Sequence, residues 1–222
     1  MSRIKKVSIG IGGLILCVVA LVIGGIMLMA MPTHGKKIEK YGNPQKALFV
    51  IDIQEDYTGK TAHPPFPYKD SEKSIATVNK IIEEASRKQI IVVYIQQEFD
   101  GFLGKTFSRV FSGGTAIKGN PGTEIDERIS IVSHHIFSKP KGDAFSNPKL
   151  EAFLVEQQVN ELYLVGLDAE FCVYHTAKGA LNRGYNVTII TDGILLQAER
   201  KWDALMKKYK QDGIHLMTGH EF

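Results

Sequence analysis

The chain begins with an uncharged apolar stretch and continues as short apolar runs that alternate with amphipathic segments. The near-continuous run over residues 47–53 is typical of a parallel strand covered on both faces. Helical spacing of apolar residues follows over 71–88, and 98–123 has the polar, glycine-rich character of a long loop. The same patterns predict further strands at 90–95, 134–138, 162–165, 185–191 and 214–217, and helices at 124–129, 148–157, 172–182 and 199–210.

Strands that alternate with crossover helices predict one α/β domain, a three-layer αβα fold with a mainly parallel, Rossmann-like sheet. In such folds, ligands bind beyond the carboxyl ends of the strands. Residues at those ends are therefore the first candidates for a functional site.

The apolar stretch over residues 7–31 contains no charged residue. At about 1.5 Å per residue it could cross a hydrocarbon core of about 30 Å, which predicts one N-terminal transmembrane helix and a membrane protein. Residues 1–6 would then be a cytoplasmic head, 32–45 a linker and 46–222 the folded domain. The short head favours an extracytoplasmic domain, although lysines on both sides of the stretch leave the orientation open.

Composition narrows the possible partners. The formal charge is +3, and the basic residues are scattered rather than gathered in a run interleaved with aromatics, so no nucleic acid partner is predicted. Cys17 lies in the apolar stretch and Cys172 in the folded part, so a disulfide between these two cysteines is not expected. Cys172 is then a free thiol whose role needs an explanation.

Three chemically capable residues stand at the ends of predicted strands. Asp52 lies near the carboxyl end of the first strand, Lys139 follows the strand at 134–138, and Cys172 opens the helix at 172–182. A thiol at a helix N-terminus is favoured as thiolate by the helix dipole and by unpaired N–H groups. Each residue alone has an ordinary structural explanation: a capping aspartate, a solvated lysine or a small buried cysteine. Their joint position at one edge of the sheet favours an active site.

At this point the sequence resembles the isochorismatase-like cysteine hydrolases, which include nicotinamidases and carbamoylsarcosine amidases. The resemblance covers nearly all of residues 46–218. Its segments are Phe49-Val-Ile-Asp-Ile-Gln-Glu-Asp-Tyr57, Gly119-Asn-Pro-Gly-Thr-Glu-Ile125, Ser138-Lys-Pro-Lys-Gly-Asp-Ala-Phe145 and Val165-Gly-Leu-Asp-Ala-Glu-Phe-Cys-Val173. In the third segment the family's lysine stands six residues before the phenylalanine, a spacing that selects Lys139 over Lys141.

The resemblance implies a catalytic triad of Asp52, Lys139 and Cys172. It also implies a cis peptide at Leu167-Asp168 and an oxyanion hole made by the N–H groups of Asp168 and Cys172. The substrate pocket is predicted to include Gln54, Tyr57, Phe99, Phe145 and Phe171. Family members commonly have threonine where this chain has Asp168. The Asp-x-His metal motif of nicotinamidases has no counterpart in 94–101, so no metal and no cofactor are predicted.

The function implied by the resemblance is hydrolysis of a small amide C–N bond through an acyl-enzyme on Cys172. Three alternatives stay open: vinyl-ether hydrolysis of an isochorismate-like substrate, a catalytically idle binding module on the same fold, and redox sensing by Cys172. No second cysteine is placed to resolve a sulfenic acid, which counts against redox sensing. A small-molecule substrate is the expected partner, and a homo-oligomer is possible. The sequence does not name the substrate.

Overall fold

A six-stranded, wholly parallel sheet forms the centre of the protein. The structure is a computed structural model, which describes residues 21, 22, 24, 25, 28, 29, 31–64, 66 and 68–222. The strand order is β3-β2-β1-β4-β5-β6. The strands are β1 (Gln45–Ile51), β2 (Ile91–Gln97), β3 (Ile136–Lys139), β4 (Val159–Gly166), β5 (Asn186–Ile194) and β6 (His215–Met217). β2 and β3 are added on one side of β1 and β4 to β6 on the other, so the strand order switches between β1 and β4, which opens a crevice at their carboxyl ends.

Helices cover both faces of this sheet, as the alternation of apolar runs predicts. The α-helices are α1 (Glu55–Thr58), α2 (Ser71–Arg87), α3 (Gly101–Phe111), α4 (Pro148–Glu156), α5 (Tyr174–Arg183) and α6 (Trp202–Gln211). A π-helical turn, Ala169–Val173, leads directly into α5. Two 3₁₀ turns occur at Ala144–Ser146 and Glu199–Lys201.

The two faces of β1 belong to two separate cores. Phe49 and Ile51 pack with residues of α4, α5 and α6, whereas Leu48 and Val50 pack with the apolar stripe of α2. All four side chains are almost completely buried. Burial on both faces explains why this strand reads as a continuous apolar run.

Two local predictions between β2 and β3 are wrong. The segment predicted as a loop over 98–123 contains the eleven-residue helix α3, which begins after Asp100, whose side chain accepts a hydrogen bond from the Gly101 N–H. The segment predicted as a helix at 124–129 is a turn, and Ile125 forms an isolated bridge with Gln54. Tertiary hydrogen bonds hold this short segment, because the Glu55 N–H donates to the Glu124 carbonyl and the Asp126 N–H to the Ile53 carbonyl.

The predicted transmembrane helix and membrane location are corrected by the structure. Within the described residues, no helix has both the length and the apolar character needed to cross a bilayer. Of the predicted span over 7–31, residues 7–20, 23, 26, 27 and 30 lie outside the described part, as do residues 1–6. A described residue of that span, Met29, lies at the folded domain, where its carbonyl accepts a hydrogen bond from the Gly142 N–H.

Candidate active site

The carboxyl ends of four neighbouring strands bring the predicted site residues together. Asp52 follows β1, Lys139 ends β3, and Gln97 ends β2 between them in the sheet. Cys172 lies in the turn between β4 and α5. Gly166 permits the close approach of β4 to β1, since a Cβ there would lie 2.0 Å from the Ile51 carbonyl oxygen. The predicted triad residues therefore meet at the crevice between β1 and β4.

Lys139 stands between the other two members of the predicted triad. Its Nζ lies 2.9 Å from Asp52 Oδ2 and 3.2 Å from Cys172 Sγ. The ammonium also donates to Gln97 Oε1 and to the Lys141 carbonyl oxygen, 3.2 Å away. The side chains of Lys139 and Asp52 are 1% and 2% exposed, so this ion pair is shielded from solvent. Within the described residues, Asp52 Oδ1 is buried without a hydrogen-bond partner.

Burial and the neighbouring charges shift the pKa values of Asp52 and Cys172. Burial raises the pKa of Asp52 above its usual value, and the nearby Lys139 ammonium only partly offsets that effect. Burial also raises the pKa of the Cys172 thiol. The Lys139 ammonium lowers this pKa, but the Asp52 carboxylate raises it. The raised thiol pKa favours the neutral thiol over the thiolate that the helix dipole alone would favour. This thiol lies beside a lysine–aspartate ion pair.

Gln54 and Gln97 connect the strand ends beneath this cluster. Gln54 Oε1 accepts the Gln97 N–H at 2.7 Å, and its Nε2 donates to the carbonyls of Gln97 and Thr123 at 3.1 and 2.7 Å. Gln97 Nε2 donates to the Lys139 carbonyl at 3.0 Å. Gln54 is completely buried and does not line the cavity, so its prediction as a pocket residue does not match its position.

The turn before Cys172 has the geometry that the resemblance implies. The Leu167-Asp168 peptide bond is cis. In the described part of the chain, the N–H groups of Asp168 and Cys172 donate to no residue outside the turn. The Asp168 carboxylate accepts hydrogen bonds from the N–H groups of Glu170 and Gln197 at 2.7 and 3.0 Å, and from the Tyr68 hydroxyl at 3.2 Å. Burial raises the pKa of this carboxyl group.

A cavity of about 430 Å³ opens above Cys172. Tyr57, Phe99 and Phe171 line it, as predicted, whereas Phe145 lies in the core against Phe49 and Tyr185. Other lining residues that sequence reasoning missed are Met29, Phe66, Tyr68, Gln97, Phe107, Phe111, His175 and Gln197.

Two of these missed groups left a signal in the sequence. Gln97 is a polar residue at the carboxyl end of an apolar run, two residues after Ile95, and the same rule selected Asp52 and Lys139. Phe107 and Phe111 are four residues apart, which places them on one face of a helix, but the surrounding glycines favoured a loop. His175 had no such signal, because its position depends on how the turn at 169–173 meets α5.

Metal ligation is not an evident feature of this site. Across the described residues, no three histidine, cysteine, aspartate or glutamate side chains are clustered as metal ligands would be. The segment that follows β2 places Gln97 and Phe99 beside the cavity. The absence of a metal from the reaction stays a prediction.

Comparison with known proteins supports the resemblance. The isochorismatase domain pattern matches residues 46–221. The chain is 26% identical to the isochorismatase family protein PncA of Bacillus subtilis over 155 residues, 65% of this chain and 83% of that protein. It is 27% identical to the N-carbamoylsarcosine amidase of an Arthrobacter species over 157 residues, which span 67% of this chain but only 58% of that enzyme.

A solved structure agrees with these matches. The N-carbamoylsarcosine amidase of Thermoplasma acidophilum superposes with a TM-score of 0.67 and 25% identity, over 80% of this chain and 98% of that one. The domain match spans most of the chain and includes every strand end at the cavity. This protein belongs to the isochorismatase family, a family of hydrolases that has amidases among its members.

Proposed function

We propose that the protein is a cysteine amidase that hydrolyses the C–N bond of a small, uncharged amide through a thioester on Cys172. The observation that carries this proposal is the position of one ammonium group. Lys139 Nζ lies within 3.2 Å of the Cys172 sulfur and 2.9 Å from the Asp52 carboxylate. A nucleophile, a base and a cation that serves both are the parts that covalent catalysis needs.

In the proposed mechanism, Asp52 accepts the Cys172 proton as the sulfur adds to the amide carbonyl carbon. The transfer leaves the net charge of the cluster unchanged, because Lys139 stays positive and one anion replaces another. The N–H groups of Asp168 and Cys172 are candidates to stabilise the oxyanion. The C–N bond then breaks, and the amine leaves with the proton from Asp52. Water, deprotonated by the same carboxylate, hydrolyses the thioester and restores the thiol.

The charge of the cavity supports an uncharged substrate. The acidic residues that line it are Asp52 and Asp168, and its described lining contains no arginine or lysine. Lys139 lies beneath the cavity and is already paired with Asp52. An isochorismate-like substrate carries carboxylates and would find no free cation in this lining, so the vinyl-ether alternative is less well supported than amide hydrolysis.

Ammonia release from a panel of amides tests the function. Acetamide, benzamide and nicotinamide represent uncharged amides, and succinamate and N-carbamoylsarcosine represent anionic ones. We expect turnover of at least one uncharged amide, loss of that turnover in Cys172→Ala, and retention in Cys17→Ala, the matched control for the only other cysteine. Turnover that survives Cys172→Ala would refute the mechanism.

Labelling of Cys172 separates the enzyme from an idle binding module. In the Cys17→Ala background, iodoacetamide can label only Cys172. If Asp52 is the base, Asp52→Asn should slow this labelling at neutral pH, because the raised pKa of the thiol makes its reaction depend on a group that accepts the proton. Equal labelling rates with and without Asp52, together with no turnover of any amide or of isochorismate, would identify a binding module.

A further inference from the structure

A short segment before the family domain contributes to the cavity. The domain match begins at residue 46, yet Met29 lines the cavity beside Gly142 and His175. Residues 31–42 have no regular secondary structure, and β1 begins only at Gln45. We call Met29, Met31, Pro32, Thr33 and His34 the N-terminal strap.

The strap is attached to the loop that follows Lys139. The Gly142 N–H donates to the Met29 carbonyl oxygen at 3.0 Å. The N–H and the hydroxyl of Thr33 both donate to Asp143 Oδ2 at 2.7 Å. Asp143 is completely buried, and its other oxygen accepts the Phe145 N–H at 2.9 Å. The strap thus pairs with a carboxylate that would otherwise be buried with one oxygen unsatisfied.

A second attachment is made by the buried guanidinium of Arg183. Its NH1 group donates to the Thr33 hydroxyl and carbonyl oxygens at 3.0 and 3.3 Å, and its NH2 group donates to the His34 carbonyl at 3.2 Å. Arg183 is also paired with Glu151 at 3.0 Å. Gly35 allows this close approach, since a Cβ there would lie 2.5 Å from Arg183 Nε.

One short loop, residues 141–143, connects the strap to the reacting groups through hydrogen bonds. The carbonyl of Lys141 accepts from the Lys139 ammonium, the next residue, Gly142, pairs with Met29, and Asp143 pairs with Thr33. Gly142 also lies against the ring of His175, because a Cβ at that position would lie 3.0 Å from His175 Nδ1. The wall on this side of the cavity therefore consists of Met29, Gly142 and His175.

We infer that Met29 is a specificity-determining residue that limits the size of the substrate acyl group, and that Thr33 positions it through Asp143. The strap lies outside the matched domain, so this limit is a property of this chain rather than of the domain alone. The inference deepens the proposed function by adding a size limit to its substrate class. Its test uses labelling of Cys172, which gives a result even if no amide is turned over.

The experiment compares two reagents with the same reactive group, iodoacetamide and N-benzyliodoacetamide, in the full chain carrying Cys17→Ala. We expect Met29→Ala to raise the rate of the benzyl reagent by about tenfold relative to iodoacetamide, as a hydrophobic pocket does when it gains this much room. Met29→Trp should lower the same ratio below that of the parent. Thr33→Val, which removes the hydroxyl but keeps the N–H, should shift the ratio in the direction of Met29→Ala.

Met31→Ala is the matched control, because Met31 belongs to the strap but its side chain is 58% exposed. It should leave the ratio unchanged. A ratio that does not move in Met29→Ala or Met29→Trp, or that moves equally in Met31→Ala, would overturn the inference. Equal changes in the rates of both reagents, together with a lower unfolding midpoint, would assign the strap a purely stabilising role. That result would overturn the inference as well. Failure of the proposed amidase function would appear instead as absent turnover, while the labelling ratio still changes in Met29→Ala and Met29→Trp as expected.

Discussion

Two buried charged clusters lie on either side of the loop after β3, and they differ in how their carboxylate oxygens are paired. In the first cluster, Asp52, Lys139 and Cys172, Asp52 Oδ1 has no partner among the described residues, and the cysteine lines the cavity. In the second cluster, Asp143 and Arg183, both carboxylate oxygens accept hydrogen bonds and both terminal nitrogens of the guanidinium donate, although Arg183 Nε has no partner among the described residues.

The difference separates a structural cluster from a reactive one. Buried polar groups are normally hydrogen-bonded, so an unsatisfied carboxylate oxygen beside a thiol needs an explanation. Asp52 has capacity left to accept a proton, whereas Asp143 uses both of its oxygens to hold the strap and the turn at 144–146. Substitutions in the first cluster should therefore act mainly on reactivity, and substitutions in the second mainly on stability.

The largest expected effect is that of Lys139→Met on reactivity. Without the ammonium, Asp52 is buried beside no cation and its pKa rises further, which favours the protonated carboxyl group that cannot act as a base. Turnover of the best amide should fall by about 10³-fold or more. The check is the steady-state rate together with the rate of Cys172 labelling as a function of pH.

Lys141→Met is the control for this substitution. The carbonyl of Lys141 contacts Lys139, but the backbone is unchanged by the replacement. This variant should keep turnover within about twofold of the wild type, because a partly exposed charge contributes little. If Lys141→Met removed activity while Lys139→Met retained it, the assignment of the lysine by its spacing from Phe145 would be refuted.

The next effect concerns stability and the second cluster. Arg183 is 3% exposed, contacts the ring of Phe145 at 4.7 Å and holds Thr33, His34 and Glu151. Arg183→Met should lower the free energy of unfolding by about 3 kcal/mol, because it leaves Asp143 and Glu151 without their cation. Urea unfolding at pH 7 is the measurement.

Arg87→Met provides the matched comparison, since Arg87 is paired with Glu84 but its side chain is 73% exposed. Its urea midpoint should not change measurably. Similar midpoints for the two variants would show that the second cluster does not stabilise the fold, which would remove the contrast between the clusters.

The smallest effect is a pH dependence of stability from His175. Burial, and then the positive charge of Lys139, lower the pKa of His175 to about 4, below the usual value of about 6.5. The folded protein therefore favours the neutral ring. The contribution of His175 to stability is fully present above pH 6.5. It is lost as the pH falls towards 4, because the unfolded chain takes up the proton before the folded protein does.

His175→Gln should remove that loss. Between pH 7 and 4.5, the unfolding free energy of this variant should fall by about 1 kcal/mol less than that of the wild type.

His63→Gln should act in the opposite direction, so its unfolding free energy should fall more than that of the wild type over the same pH range. The reason is that hydrogen bonds to the Gly113 and Thr61 carbonyls raise the pKa of His63. Urea unfolding at the two pH values tests both variants. Identical pH dependence in His175→Gln and the wild type would contradict the burial argument.

The sequence by itself determined the sheet and the strand ends. Apolar runs such as 47–53 must be covered on both faces, so they predict parallel strands wherever they occur. Because the carboxyl ends of such strands share one edge, Asp52, Lys139 and Cys172 could be expected to meet, and the spacing to Phe145 selected Lys139. The structure brings all three together, with Asp52 and Cys172 in the cavity lining and Lys139 beneath it.

Tertiary structure alone decided the surroundings of the thiol and the composition of the cavity wall. Local reasoning at Cys172 considers the helix dipole, but its pKa depends on burial and on Asp52, which is 120 residues away in the chain. Met29 and His175 line the cavity through contacts with Gly142, and the apolar stretch that contains Met29 also fits the pattern of a membrane helix. Hydrophobicity along a chain gives the length of an apolar segment but does not identify the surface against which it packs.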